Sequence, residues 1–72
     1  MENDLQKQAA RLMSISSELE MALKHSNIAA EHFKNSEVPR GCAHTLALEG
    51  HLIMISEILK EIAKAHSYKA GV

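Results

Sequence analysis

The segment NSEVPRG at residues 35–41 is the one strong interruption in a chain that otherwise has helical periodicity. On both sides of it apolar residues recur every three or four positions, the spacing of a helix with one apolar face. Pro39 suits the first turn of a helix, and Asn35 can end the preceding helix in a left-handed conformation. The sequence predicts one domain, 1–72, with helix 1 at about 4–34, a turn at about 35–38, helix 2 at about 39–66 and a frayed tail at 67–72.

Two helices joined by so short a turn become antiparallel neighbours, so the predicted fold class is all-α, an antiparallel two-helix hairpin. The apolar stripes of the two helices are expected to pack against each other. The stripe of helix 1 consists of Leu5, Ala9, Leu12, Ile15, Leu19, Ala22, Leu23, Ala29, Ala30 and Phe33. The stripe of helix 2 consists of Leu48, Leu52, Ile55, Ile58, Leu59, Ile62 and Ala65.

The first half of helix 2 is apolar around its whole circumference, although one partner helix covers only one side of it. A chain of 72 residues also buries only about 60% of its unfolded surface, which makes an isolated core marginal. We therefore expect a second copy to complete a four-helix bundle, with Gly50 allowing a neighbouring helix to approach closely. The expected oligomer or partner interface is Ala43, Leu46, Ala47, Gly50, Ile53, Met54, Met21 and Ile28.

Composition argues against several classes of partner. The net charge is −1, the basic residues form no stripe and the aromatic residues are Phe33 and Tyr68, so we expect no nucleic-acid binding. The longest apolar run, 52–55, is too short to span a membrane. The polar start MENDLQKQ predicts no secretory signal, and the single Cys42 rules out an internal disulfide and suits a reducing compartment. These features predict a cytoplasmic protein.

Four histidines form two pairs, each spaced by seven residues: His25 with His32, and His44 with His51. The hairpin places His25 level with His51 and His32 level with His44, which raises the possibility of a metal site. Seven residues correspond to about 10.5 Å along a helix, so neither helix can give one ion both of its histidines. The Glu-x-x-His pattern of di-iron bundles is also absent. We therefore predict no metal and no cofactor, and histidines at the core boundary with hydrogen-bonded tips.

Cys42 and His44 could suggest an activated thiol near a helix N-terminus, where the thiolate is favoured. Residues two apart on a helix point about 200° apart, so this pair cannot share a proton directly. His32, across the hairpin, is the other candidate base. A small buried cysteine is the simpler interpretation, and we predict no enzymatic activity and no catalytic residue.

The start of helix 2 offers a possible anion-binding site at Arg40, Gly41 and His44, because unpaired amides make a helix N-terminus partly positive. The sequence as a whole predicts a small non-enzymatic protein–protein interaction module, an adaptor, inhibitor or regulator. Its main expected partner is a second copy, and the further candidate is another protein. The alternative is a module that sequesters a small anionic or nucleotide-like ligand at the N-terminus of helix 2.

Overall fold

The computed structural model describes residues 4–65, which form two α-helices joined by a short turn. Helix α1 spans Asp4–Lys34 and helix α2 spans Val38–Ala65. They lie side by side in a hairpin of 51 × 25 × 13 Å. The described residues are all-α, which confirms the predicted helical hairpin. Helix α2 begins one residue before Pro39, while the expected end at His66 and the tail at 67–72 lie outside the described residues.

The turn is closed by a Schellman motif whose left-handed residue is Ser36, with φ 61°. The Ser36 N–H donates to the Phe33 carbonyl at 3.0 Å, and the Glu37 N–H donates to the His32 carbonyl at 2.8 Å. The prediction that Asn35 adopts the left-handed conformation was wrong by one position. The reason is that the Asn35 N–H still donates to the Glu31 carbonyl at 3.1 Å, so the helical pattern continues through it.

Replacing Ser36 by glycine is expected to stabilise the hairpin. A side chain at positive φ costs roughly 1–2 kcal/mol, and glycine removes most of this cost while adding backbone freedom to the unfolded chain. We expect a net gain of about 0.5–1 kcal/mol for Ser36→Gly, measured by urea denaturation. The matched control is Ser17→Gly in the middle of α1, which should destabilise because glycine is a poor helix former. A loss of stability in Ser36→Gly would contradict the assigned turn.

The helices contact each other along a line of residues spaced by seven, the repeat of a left-handed coiled coil. This inner line comprises Gln8, Ile15, Ala22 and Ala29 of α1, and Gly41, Leu48, Ile55 and Ile62 of α2. All of its members are buried except Leu48 and Ile62, which are half-buried. Gly41 has no room for a side chain, because an added Cβ would lie 2.7 Å from the Phe33 ring. Small residues therefore bring the helices together near the turn.

Half of the predicted core stripe lies outside this contact. Ile15, Ala22, Ala29 and Ile55 are buried as expected, but a set of large apolar residues from both stripes is 45% exposed or more: Leu5, Leu12, Leu19, Leu23, Phe33, Leu52 and Leu59. The reason is geometric. Two helices bury the inner line together with one neighbouring line, and the neighbouring line buried here carries histidines and carboxylates rather than leucines.

Candidate functional site

Four histidines from the two helices form a continuous stack along one edge of the interhelical contact. The ring centroids are 5.4 Å apart for His51 and His25, 5.1 Å for His25 and His44, and 5.4 Å for His44 and His32. Each ring is half-buried. We call these four residues the histidine ladder. Its rungs alternate between α2 and α1, because a seven-residue spacing on two antiparallel helices interleaves the side chains.

A carboxylate closes each end of the histidine ladder. The Nδ1 atom of His51 lies 2.5 Å from Glu18 Oε1, and the Nδ1 atom of His32 lies 2.9 Å from Glu37 Oε1. The hydrogen bond from His32 holds the pKa of Glu37 below its ordinary value of 4.5; desolvation opposes this effect, and the charges of His32 and Arg40 add to it. The Glu37 carboxylate therefore favours the folded hairpin above pH 4.5, and this contribution is lost as the pH falls further.

The central pair of the ladder can share only one proton at a time. The Nδ1 atoms of His25 and His44 lie 2.9 Å apart, so one must donate and the other must accept. At the two ends of the ladder the acceptors are carboxylate oxygens, so the Nδ1 atoms of His51 and His32 donate. The ladder therefore has fixed donors at its ends, whereas at its centre either His25 or His44 can be the donor.

The sequence missed the two carboxylates, although a signal for them is present. Polar residues continue the seven-residue spacing of the histidines: Glu18 precedes His25 by seven positions, and Glu37 precedes His44 by seven. Reading that polar line through both helices, rather than the histidines alone, would have found the ladder. The register predicted for the histidines is close to the observed one, with His25 lying between His44 and His51.

The ladder does not gather its nitrogens at a common point, since His25 and His44 direct their Nδ1 atoms at each other. Within residues 4–65, no three histidine, cysteine or acidic side chains are arranged to hold a metal ion. Cys42 is exposed, contrary to the buried small residue that we expected. Its two candidate bases are engaged elsewhere, His32 with Glu37 and His44 with His25.

The three residues of the expected anion site do not converge on one point. Arg40 Nη1 donates to Glu37 Oε2 at 3.2 Å, so the arginine that an anion would need already binds a carboxylate. Gly41 is buried under the Phe33 ring, and His44 faces His25. Glu37, the residue immediately before α2, therefore already places a negative group at the helix N-terminus, where one is favoured.

The residues of the expected interface fall on two surfaces. Met21, Ile28, Ala47 and Met54 flank the histidine ladder, and Ala43, Leu46, Gly50 and Ile53 lie on the outer surface of α2. An added Cβ on Gly50 would meet nothing within 4 Å. Leu46 and Ile53 are more than half exposed.

The hairpin end opposite the turn carries an open cleft of about 260 Å³ with mixed charge. Gln8 accepts a hydrogen bond from Arg11 at 2.9 Å, and Arg11 lies 3.9 Å from Glu61. The buried Gln8 Nε2 atom has no hydrogen-bond partner among the described residues. Because basic and acidic side chains alternate around the cleft, it favours no single class of ligand.

Comparison of the chain with models of known protein families, with curated proteins and with solved structures gives no match. Neither of the two described helices combines the length and the apolar character that crossing a bilayer requires.

Proposed function

We propose that this chain is a non-enzymatic protein–protein interaction module that acts as a homodimeric helical bundle, in the role of an adaptor, inhibitor or regulator. The supporting observation is the imbalance between its core and its surface. In the described part of the chain the buried apolar residues are Ile15, Ala22, Ala29 and Ile55, while 14 large apolar side chains are exposed by 38% or more.

The energy of this imbalance favours association. Full burial of a large apolar side chain contributes about 1.5–3 kcal/mol, so covering the exposed half of one contributes roughly 1 kcal/mol. Covering seven of them would contribute roughly 7 kcal/mol, which is comparable to the total stability of a small domain, about 5–15 kcal/mol. For a hairpin with so few buried side chains, the free energy gained by covering the exposed side chains with a partner is therefore comparable to the free energy of folding.

The chemistry-bearing side chains support association rather than catalysis. The bonds of His25 to His44 and of His51 to Glu18 join the two helices, and the bond of His32 to Glu37 spans the turn, so these side chains hold the hairpin together. A rigid hairpin presenting apolar side chains is suited to packing against another helical surface.

The mass of the purified chain in solution tests this proposal. We expect light scattering to give twice the 7.9 kDa of one chain, with dissociation only on strong dilution. Thermal unfolding followed by circular dichroism should shift to higher temperature as the protein concentration rises, because dimerisation couples to folding. A single-chain mass at every concentration, with a melting temperature that does not depend on concentration, would refute the homodimer.

A further inference from the structure

The hairpin has two unlike sides. One carries the histidine ladder, and the other carries a second seven-residue line of large side chains next to the inner line. We call this second line the leucine face: Leu12, Leu19 and Phe33 of α1, and Val38, Leu52 and Leu59 of α2. Each of these side chains is between 45% and 54% exposed. The Phe33 ring also covers Gly41 of the inner line, so the leucine face is continuous with the buried contact.

The register of the hairpin sorts the leucine face into layers. The Glu18–His51 and His25–His44 contacts fix which residues lie level. They place Leu19 at the level of Leu52, and Leu12 at the level of Leu59. Towards the turn, Ser26 is level with Thr45 and Phe33 is level with Val38. The two helices thus present paired apolar layers along most of the length of the hairpin.

Charge separates the two sides sharply. On α1 we compare the line of the leucine face with the next line around the helix, further from the inner line. Neither line contains a charged residue: Leu5, Ala9, Leu12, Ser16, Leu19, Leu23, Ser26, Ala30 and Phe33. On α2 the corresponding positions hold one charge, Glu49. The mirror-image positions on the opposite side, which are the line of the histidine ladder and the line bordering it, hold seven: Asp4, Lys7, Arg11, Glu18, Glu37, Arg40 and Glu61. A twofold interface brings residues near the axis against their own copies, where like charges would repel, so the leucine face is the side suited to self-association.

We infer that a second copy of this chain packs on the leucine face, so that the inner lines and leucine faces of two hairpins form the interior of a four-helix bundle. This inference rests on the proposed homodimer and replaces the interface expected from the sequence. A face about 45 Å long and about 20 Å wide covers roughly 900 Å², against the roughly 800 Å² per partner of a stable interface. Both histidine ladders then lie on the outside of the bundle.

Adjacent residues of α2 provide a matched test. Leu52 is on the leucine face and Ile53 is on the outer surface of the helix, and they are 50% and 55% exposed in the hairpin. Leu52→Asp should convert the dimer to a single chain by light scattering, whereas Ile53→Asp should leave the dimer intact. Dissociation by Ile53→Asp with a dimeric Leu52→Asp would overturn the leucine face and leave the homodimer standing. A wild-type chain that is monomeric throughout would overturn both.

A second measurement covers the case in which the aspartate variant fails to fold. In a Cys42→Ser background, Leu52→Cys and Ile53→Cys each introduce one thiol. We expect an alkylating reagent to modify residue 52 at least tenfold more slowly than residue 53. This difference should disappear when the protein is diluted below the dissociation constant of the dimer. Equal rates at both positions would contradict the proposed interface.

Gly50→Ala tests whether a partner packs closely against the outer surface of α2, because it adds a methyl group there. The position is open in the hairpin, so alanine should raise the melting temperature through its higher helix propensity and leave the dimer mass unchanged. Loss of the dimer in this variant would move the interface to the outer surface of α2.

Discussion

Ile55→Ala is expected to lower the free energy of unfolding by about 2–5 kcal/mol, among the largest effects of any single truncation in the described residues. Ile55 is 8% exposed, and Ile55 and Ile15 are the two large apolar side chains that are buried among the described residues. Alanine removes its packing and leaves a cavity between two helices whose other buried contacts are mostly alanine and glycine. The higher helix propensity of alanine restores only a few tenths of a kcal/mol.

Ile53→Ala is the matched control for this loss. It removes the same atoms two positions away on the same helix, from a side chain that is 55% exposed. We expect a change of less than about 1 kcal/mol, as is usual for exposed positions. Both variants are compared with the wild type by urea denaturation at one protein concentration, because dimerisation shifts the midpoint. Equal losses in the two variants would show that α2 is covered on its outer surface as fully as on its inner line.

The helices were predictable because their signals are local. The break at 35–41 and the spacing of apolar residues depend only on neighbours along the chain. The face that each helix turns toward the other was predictable only in part, because α1 carries two adjacent seven-residue lines that compete for it. The leucines are the more apolar line, yet the hairpin buries the line of Glu18, His25 and His32 beside the inner line. Periodicity cannot decide between two such lines when a second copy is able to cover the one left outside.

The levels of the four histidines along the helices were predictable, but their hydrogen-bond partners were not. The seven-residue spacing and the short turn place His25 level with His51 and His32 level with His44, and the rings of both pairs are in contact. The pairing of Glu18 with His51 joins residues 33 apart in sequence, and it depends on which line of α1 turns inward. Because the sequence does not show which line of α1 is buried, it predicted neither the exposure of the leucines nor the pairing of the carboxylates.

Replacing His44 by alanine is expected to lower the free energy of unfolding by roughly 1–2 kcal/mol. The Nδ1 atoms of His25 and His44 lie 2.9 Å apart, so alanine leaves the half-buried His25 nitrogen without this partner. It also removes the contacts of the His44 ring with the rings of His25 and His32. A glutamine amide can donate or accept, so His44→Gln should lose less stability than His44→Ala.

The measurement is urea denaturation of both variants and the wild type at one pH and one protein concentration. His44→Gln is the matched control, because it keeps a hydrogen-bonding group at the centre of the ladder while removing the imidazole ring. The bonds at the two ends, from His51 to Glu18 and from His32 to Glu37, are unchanged in both variants. Equal losses of stability in His44→Ala and His44→Gln would show that the hydrogen bond between His25 and His44 does not contribute to the stability of the hairpin.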